Sequence, residues 1–516
     1  MEIPNAKPIR SKCKRCFLCL YVCVCIGLAL ATSPAVAGGP LTVTRAADDE
    51  NPGSLRSAIN AANVQPGADV ITFADGLGPI VLNGTELTLI TESVSIIGPS
   101  GRQVISGNQE TRIFSAQGFE VDLVLENLRL IDGRGDEFVG GGAVLVDGPL
   151  TVRNCIFSGN ATNGSFNSGG AIAISLFNEP APTLIEDSLF ENNRTIGSNS
   201  SGGAIRTRGA LTIRNSTFRN NQTQGFDSSG GAISASGMFF EMFDSVVEGN
   251  SVLGTVSRGG GIRTIGTPDN SIVNSVVRGN TVATANGAIW VNPVSPEGGS
   301  LVLRDSTVSG NRSATRGGIY SIDTEVTIIN STLSGNLNLG SSIPAAVFVA
   351  RRPIRIENST IVGNVSGSGT TAVLALQDSG LVHTVTSSII TANAPDESQG
   401  LFSELGTLDI TDSVIDVNTQ INGVNSANLR AQTANLGPLA DNGCSQPAGF
   451  PAQAICVPTH ALLGGNWPGS NPGALTFDQR GAGFPRQVGD VVEAGSVELE
   501  LDQLFGNGFE VIARPE

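Results

Sequence analysis

The sequence predicts an all-β protein, a right-handed parallel β-helix (a solenoid) of about 11–12 coils, from a repeat and its internal pattern. An eleven-residue pattern, typified by Leu211–Asn221, occurs ten times. Its closing Asn moves from position 160 to position 418 in nine steps, a mean spacing of about 29 residues. Apolar residues alternate with polar ones, as in Leu211-Thr212-Ile213, which is the periodicity of a strand and not of a helix. One such coil cannot bury its apolar side alone, so the coils must stack on each other.

A Gly-Gly-Ala-Ile motif precedes the repeat copies by about half a period, for example at Gly169–Ile172, Gly202–Ile205 and Gly230–Ile233. Each coil therefore contains at least two short strands that are separated by turns. The paired glycines indicate a corner at which φ is positive or at which two backbones approach closely.

Two further columns of the repeat predict corners of the coil. The residue six positions before the closing Asn is Asn or Asp in nine of the ten copies, and the next residue is Ser in nine copies and Cys155 in the tenth. Short polar side chains of this kind bond nearby backbone and tolerate bent conformations. We expect the closing Asn to have a positive φ at a tight turn and its amide to stack in a ladder. Because these residues recur at equivalent positions, we interpret them as structural, and Cys155 is not a predicted nucleophile.

Residues 1–37 have the features of a signal peptide: a basic region, the apolar run Phe17–Ala31 and the cleavage motif Ala35-Val36-Ala37. Cleavage is predicted after Ala37, and the alternative is a retained N-terminal anchor. Five of the 30 basic and one of the 46 acidic residues lie in this segment, which leaves 25 basic against 45 acidic residues, a net charge of −20. Such a chain is expected to bind neither nucleic acid nor anionic membranes nor polyanionic glycans, unless a metal ion bridges them. No membrane span is predicted in the mature chain.

Residues 38–63 predict a strand, Leu41–Thr44, followed by a helix that forms an N-terminal cap over the open end of the first coil. The expected N-cap is Ser54, and the expected apolar face consists of Leu55, Ala58, Ile59 and Ala62. The stretch Gly53–Ile59 resembles the CSLREA motif found at the start of many exported β-helical proteins. Gly53 stands at the Cys of that motif and Ser57 at its Glu, so the resemblance implies neither a disulfide nor a carboxylate role there.

Residues 64–434 form the predicted β-helix, in which Gly-Gly-Ala-Ile alternates with Phe-x-x-Asn, as at Phe190–Asn193 and Phe218–Asn221. These repeats resemble those of polymorphic outer-membrane proteins, which are surface adhesins carried by a C-terminal β-barrel. No segment here is long enough for that barrel, so the resemblance does not imply that export route. Longer turns interrupt the period at Phe177–Pro182, Asn292–Gly299 and Ala394–Gly406, and we expect any specific site on these loops.

Residues 435–498 contain more Pro and Gly than the repeat, and also Cys444 and Cys456, which are close enough in sequence to form a disulfide in an exported protein. The blocks Leu436–Gly443, Asp478–Gly481 and Glu493–Glu498 resemble the choice-of-anchor Q domain, which lies between exported β-helices and C-terminal sorting signals. The segment is also expected to cap the last coil. Residues 499–516 form a tail that is similar to a short sorting signal of exported Gram-negative proteins, and the alternative is a frayed terminus.

An enzymatic alternative, a polysaccharide lyase or glycoside hydrolase on the β-helix, requires paired carboxylates or a positioned base. Asp48-Asp49-Glu50 and Asp136-Glu137 are carboxylate groups that would suit Ca²⁺, although acidic turns are usually only solvated. We interpret the two histidines, His383 and His460, as structural. The aromatic residues other than Phe that remain for a sugar-binding cleft are Trp290, Tyr320 and Trp467.

We therefore predict a non-catalytic exported surface protein of a Gram-negative bacterium, extracellular or associated with the outer membrane. A stiff monomeric rod would display loops to an unknown surface ligand or glycan, as an adhesin or a structural protein. No cofactor is predicted, and no residue is assigned a catalytic or metal-binding role. A repetitive ice-binding face ranks last, because no Thr-x-Thr column recurs.

Overall fold

The computed structural model describes most of the chain between residues 41 and 498. The described residues are 41–135, 140–174, 181–284, 286–295, 297–340, 345–367, 374–377, 380–391, 393, 406–417, 419, 421–431, 435–442, 457–462, 469–472, 474–482, 484–487 and 492–498. Within them, four parallel sheets wind into a β-helix of about 12 turns, which confirms the predicted fold class. One short helix, Leu55–Ala62, lies near the start of the described chain.

The four sheets are named A to D here, and their strands follow in order along the stack. Sheet A contains Leu41–Val43, Asp69–Phe73, Val94–Ile97, Leu123–Glu126, Leu150–Arg153, Thr183–Glu186, Leu211–Arg214, Phe239–Phe243, Asp269–Val273, Gly299–Arg304, Thr324–Ile329, Ile354–Glu357, Val382–Thr386, Thr407–Thr411 and Asn425–Ser426. Sheet B contains Ile80–Val81, Gln103–Ser106, Leu128–Ile131, Ile156–Ser158, Leu189–Glu191, Thr217–Arg219, Val246–Glu248, Val276–Arg278, Thr307–Ser309, Thr332–Ser334, Thr360–Val362, Ile389–Thr391, Val414–Ile415 and Leu429–Arg430. Sheet C contains Phe114–Ala116, Val144–Val146, Ile172–Ile174, Ile205–Arg208, Ile233–Ser236, Ile262–Ile265, Ile289–Asn292, Ile319–Ile322, Val347–Ala350 and Leu374–Gln377. Sheet D contains Arg134–Gly135, Ala161–Thr162, Arg194–Thr195, Gln222–Thr223, Ser251–Val252, Thr281–Val282, Arg312–Ser313, Leu337–Asn338 and Val365–Ser366.

One coil illustrates how the repeat forms these sheets. The chain passes through sheet C at Ile205–Arg208, sheet A at Leu211–Arg214, sheet B at Thr217–Arg219 and sheet D at Gln222–Thr223. Each strand pairs in parallel with the equivalent strand of the next coil, for example Thr217–Arg219 with Val246–Glu248. Equivalent residues of successive coils therefore lie in register, about 4.8 Å apart, and form columns along the stack.

Inward side chains of sheets A, B and C form one continuous hydrophobic core. Phe157, Phe190 and Phe218 occupy one column of it, and their ring centroids lie 4.6 Å and 4.7 Å apart with nearly parallel planes. In the strand Thr217–Arg219, the residues on either side of Phe218 face outward. The alternation in the sequence therefore identified both the strands and the buried column.

The Asn/Asp column supplies a left-handed corner in each repeat copy. Its φ values lie between 43° and 51° at Asn154, Asp187, Asn215, Asp244, Asn274, Asp305, Asn330, Asn358, Ser387 and Asp412. The closing Asn does not have the positive φ that we predicted: none of the nine described ones, from Asn160 to Asn393, does. The residue before it takes this conformation instead, for example Gly159 or Asn192. The closing Asn instead directs its side-chain amide into the interior, where the residue is fully buried.

The predicted ladder of closing Asn residues is confirmed. Nδ2 of Asn160 donates to Oδ1 of Asn193 at 2.9 Å, and the same bond recurs at each step as far as Asn393. The serine column forms a second ladder, in which Ser216 Oγ accepts the backbone N–H of Ser188 at 3.1 Å. Cys155 occupies that column, is buried, and has a thiol pKa that burial raises to about 12. Its surroundings therefore agree with a structural role.

The predicted features of the N-terminal helix are confirmed. Ser54 Oγ accepts the Ser57 N–H, and the buried residues are Leu55, Ala58, Ile59 and Ala62. Arg56 extends from the other side and donates to Asp48 and to the Glu86 carbonyl. The helix therefore packs on the first strands of sheet A through its apolar face and is tied to a neighbouring loop by Arg56.

The described part of residues 435–498, the C-terminal segment, contacts a lateral face of the β-helix. Its strands Leu436–Ala440 and Thr459–Leu462 pair antiparallel. Gln479 bonds the outward hydroxyls of Thr307 and Thr332 at 2.9 Å and 2.6 Å, and Ser496 bonds Thr360. These contacts cover the outer face of sheet B in the later coils, whereas the sequence suggested a cap over the last coil.

Candidate functional site

The strongest candidate site is one outward column of sheet C. Six residues on consecutive strands are paired in register: Arg206, Ser234, Arg263, Trp290, Tyr320 and Phe348. We call this set the sheet C column. At the spacing of hydrogen-bonded strands, its five steps span about 24 Å. The side chains face outward because the residues on either side of them, such as Ile289 and Val291, point into the core.

Aromatic rings occupy the later half of the column. The rings of Tyr320 and Phe348 are stacked, with centroids 5.0 Å apart. Arg316, at the preceding corner, places its guanidinium carbon 4.3 Å from the Tyr320 centroid and 4.6 Å from the Phe348 centroid. These three distances form a nearly equilateral triangle, so the guanidinium lies alongside the stack and contacts both rings. The rings are only 4–7% exposed, which leaves the arginine as the outer layer.

Trp290 is flanked by two further arginines. The guanidinium carbons of Arg258 and Arg263 lie 5.6 Å and 5.5 Å from the indole. These distances are within the range of cation–π attraction. The aromatic part of the column therefore holds three cationic groups on its outer side, and it fixes their positions through ring contacts.

Several polar groups of this cluster are shielded from solvent and have no hydrogen-bond partner among the residues that the structure describes. They are Arg206 Nη1, Arg263 Nε, Arg316 Nε and Trp290 Nε1. The remaining bonds of these side chains go to neutral groups: Arg263 donates to Ser234 Oγ at 3.2 Å, and Arg316 donates to Asn286. A buried donor without an acceptor is unfavourable by about 1–3 kcal/mol. Four such donors lie in one outward cluster, where a bound acceptor would satisfy them.

The charge of the cluster is not balanced within the described part of the chain. Arg258 contacts Asp227 at 3.3 Å, whereas Arg206, Arg263 and Arg316 have no carboxylate within 4.0 Å there. Burial, followed by repulsion from Arg258 and Arg206, lowers the pKa of Arg263 to about 10. Burial likewise lowers the pKa of Arg206 to about 10, with a contribution from Arg208. Both groups remain charged near neutral pH, so the face is cationic in an acidic protein.

Sheet B offers an outward column with the opposite arrangement. Arg219 and Arg278 lie on strands adjacent to Glu191 and Glu248, and each arginine bonds a glutamate at 2.6 Å. A groove of about 570 Å³ follows this column as far as Leu439 of the C-terminal segment. The four charges of this column are therefore neutralised in pairs.

The structure places the predicted carboxylates and histidines in structural contacts. Asp48 bonds Arg56, and Asp49 bonds Arg45. His383 is buried and accepts the Ile354 N–H at 3.3 Å. His460 Nδ1 lies 2.8 Å from the Gly437 carbonyl, which can only accept, so Nδ1 carries the proton and Nε2 accepts from Ser334 at 2.7 Å. Burial lowers the pKa of His460, which favours this neutral form.

Other predicted positions lie outside the described residues. They are Ala37, Cys444, Cys456, Trp467 and the pair Asp136-Glu137. Their predicted roles in cleavage, a disulfide, a sugar site and Ca²⁺ binding stay predictions. Among the residues that are described, no group of three or more His, Cys, Asp or Glu side chains is arranged to hold a metal ion. No helix in the described part is both long and apolar enough to span a membrane.

The sequence pattern did not predict the sheet C column, because the residues of this column do not recur from coil to coil. Its members follow directly after the Ile or Val that ends the Gly-Gly-Ala-Ile motif and its variants, but they differ from coil to coil. Trp290 and Tyr320 were noted only as isolated aromatics. Reading down this position in register would have brought the arginines and aromatics together. The long turns, where we expected a site, do not contain the column.

Comparisons with known proteins give only a weak structural likeness. No family model matches the sequence, and no curated protein matches it. Among solved structures, the chain is similar to the A-module of a mannuronan C-5 epimerase from Azotobacter vinelandii, with 14% identity and a TM-score of 0.32. The match covers 73% of this chain and 94% of that module. A likeness this weak carries no argument about activity.

Proposed function

We propose that the protein is a non-catalytic exported surface protein, in which a stiff β-helix presents a binding face as an adhesin or a structural component. The observation that carries this proposal is the sheet C column, where cationic and aromatic side chains are fixed on consecutive strands. Rigid presentation of side chains lowers the entropy lost on binding. Export follows from the signal-peptide features of residues 1–37, and attachment follows from the resemblance of residues 435–498 to an anchor domain.

The arrangement of the column supports binding more than bond cleavage. Glycoside hydrolysis by two carboxylates requires a pair of carboxyl groups about 5–9.5 Å apart. Asp227, a described carboxylate whose charge acts on Arg263, is held by Arg258. Arginine can serve as the base in a lyase, but the column arginines keep their charge near neutral pH and lack the proton acceptor capacity this role requires.

A turnover assay tests the proposal against the enzymatic alternative. The exported protein is incubated with a panel of neutral and acidic polysaccharides, with and without Ca²⁺, and reducing ends and unsaturated products are measured. We expect no turnover above the level of heat-denatured protein. Protease treatment of intact cells that carry the protein is expected to remove it from the surface. Sustained, dose-dependent turnover would contradict the proposal and favour a lyase or hydrolase.

A further inference from the structure

We infer that the sheet C column is a binding site for an anionic polysaccharide, with the carboxylates or sulfates of the polymer bound by Arg206, Arg263 and Arg316. The inference rests on the proposed function and names its ligand class. It also revises the expectation from composition, since a net charge of −20 describes the predicted mature chain as a whole and not this face.

The N–H groups of the column arginines have the geometry that an oxyanion requires. An arginine guanidinium presents N–H groups in a fixed fork that matches the two oxygens of a carboxylate or two of a sulfate. Arg263 donates one N–H group to Ser234, and its Nε has no partner within the described part of the chain. The Nε of Arg316 likewise has no partner there. An oxyanion on the outer side of sheet C would accept hydrogen bonds from these donors and remove the unfavourable burial of unpaired N–H groups.

The arginines are regularly spaced along the stack of coils. Arg206 and Arg263 are two strands apart, and Arg316 precedes the strand two further along. The cations therefore follow one another along the β-helix axis at intervals of roughly 10 Å. A polymer with regularly repeated anions can occupy all of them at once, whereas a single small anion cannot. Multiple weak contacts of this kind raise the affinity without any additional contact type.

The aromatic rings position the arginines and do not themselves contact the ligand. Trp290, Tyr320 and Phe348 are nearly covered, so they offer little ring surface to a ligand. They instead hold the guanidinium groups by cation–π contacts and exclude water beside them, which strengthens the interaction with an anion. Nucleic-acid bases would require open ring faces for stacking, and a membrane would require exposed apolar groups. The column provides neither, and an anionic glycan fits better.

Binding is tested with the full exported chain by isothermal titration with polygalacturonate, with its fully methyl-esterified form, and with dextran sulfate. We expect polygalacturonate or dextran sulfate to bind, with an affinity that falls as salt is raised. The esterified polymer has the same backbone without the charge and is expected not to bind. Arg263→Ala and Arg316→Ala should each weaken binding about tenfold, consistent with the loss of a charge-assisted hydrogen bond.

The matched control is Arg278→Ala on sheet B, which removes an outward arginine that already has a glutamate partner. It is expected to leave binding unchanged. In a Trp467→Phe variant, the single remaining tryptophan is Trp290, whose fluorescence should change on binding. This signal locates the ligand independently of affinity, and circular dichroism checks that each variant is folded.

The outcomes separate this inference from the proposed function. Equal weakening by Arg278→Ala, equal binding of the esterified polymer, or binding only to vesicles of anionic lipid would overturn the inference. Absence of binding by a surface-located, inactive protein would overturn the inference and leave the proposed function intact. Turnover of a bound polymer would have the reverse effect, because the site would be retained and the non-catalytic proposal lost.

Discussion

Sheets B and C both carry arginines on their outer faces, but the two sheets differ in whether these charges are neutralised. On sheet B, Arg219 and Arg278 alternate with glutamates on adjacent strands and are neutralised. On sheet C, Arg206 and Arg263 flank a serine and have no carboxylate partner among the described residues. Equivalent residues on neighbouring parallel strands are in contact, so glutamates on sheet C could neutralise its arginines as they do on sheet B. In the binding we propose, the paired charges of sheet B stabilise the fold, and the unpaired charges of sheet C are satisfied by the ligand.

Sheet B also differs along its own length. Its later coils are covered by the C-terminal segment, where Arg486 is fully buried beside Glu498 at 3.1 Å. Arg486 Nη2 also donates to the Glu493 carbonyl at 2.6 Å. Burial raises the pKa of Glu498 to about 7, although the charge of Arg486 opposes this rise. Removing one partner of a buried ion pair lowers the free energy of unfolding by several kcal/mol, because the other charge is left uncompensated.

The largest effect is expected for Arg486→Met, which should destabilise the C-terminal segment by about 3–5 kcal/mol at pH 8. Hydrogen exchange of the Gln479 amide, which bonds the Ser496 carbonyl across the segment, measures its opening. The loss should be smaller at pH 6, because a carboxyl whose pKa is raised binds a proton more readily in the folded state as pH falls below 7.

The control for this prediction is Arg219→Met on the exposed part of sheet B, where the arginine side chain is 45% exposed. An exposed ion pair contributes about 0.2–1 kcal/mol, so the free energy of unfolding should change within that range. Similar losses in both variants would mean that the covered and exposed parts of sheet B are stabilised alike, which would contradict the distinction drawn here.

The two faces also differ in how far the sequence predicted them. The ladder of closing Asn residues was predictable because the same residue recurs, and the structure confirms that these residues bond from coil to coil. The serine ladder was not predicted, because a recurring small residue indicates only that space is limited. The prediction of a positive φ at the closing Asn was wrong, because residue type alone does not show that the side-chain amide forms its hydrogen bonds in the interior. The sheet C column was not predicted, because its chemistry comes from different residues that only the strand register brings together.

The intermediate effect is expected for Ser234→Asp, which gives sheet C the alternation found on sheet B. The new carboxylate would lie one strand from both Arg206 and Arg263. We expect polygalacturonate binding to weaken about tenfold and the free energy of unfolding to rise by about 0.5–1 kcal/mol, since the arginines gain a partner. Titration calorimetry and urea denaturation measure the two quantities.

Ser234→Asn is the matched control, because asparagine has the shape of aspartate without its charge. It should change the free energy of unfolding little and preserve most of the binding. If Ser234→Asn weakens binding as much as Ser234→Asp, the effect is steric, and the unpaired charge of the sheet C column is not what the ligand recognises.

The smallest effect is expected for Glu248→Gln, which makes sheet B resemble sheet C by leaving Arg278 without its carboxylate. Stability should fall by about 0.2–1 kcal/mol, because the pair is exposed. Affinity for polygalacturonate should rise less than about twofold, because a 50% exposed guanidinium stays hydrated and has no aromatic ring to hold it. A larger rise would show that an unpaired arginine is sufficient for binding on any face of this β-helix. The small rise expected here instead assigns the binding strength of sheet C to the aromatic rings that fix and desolvate its arginines.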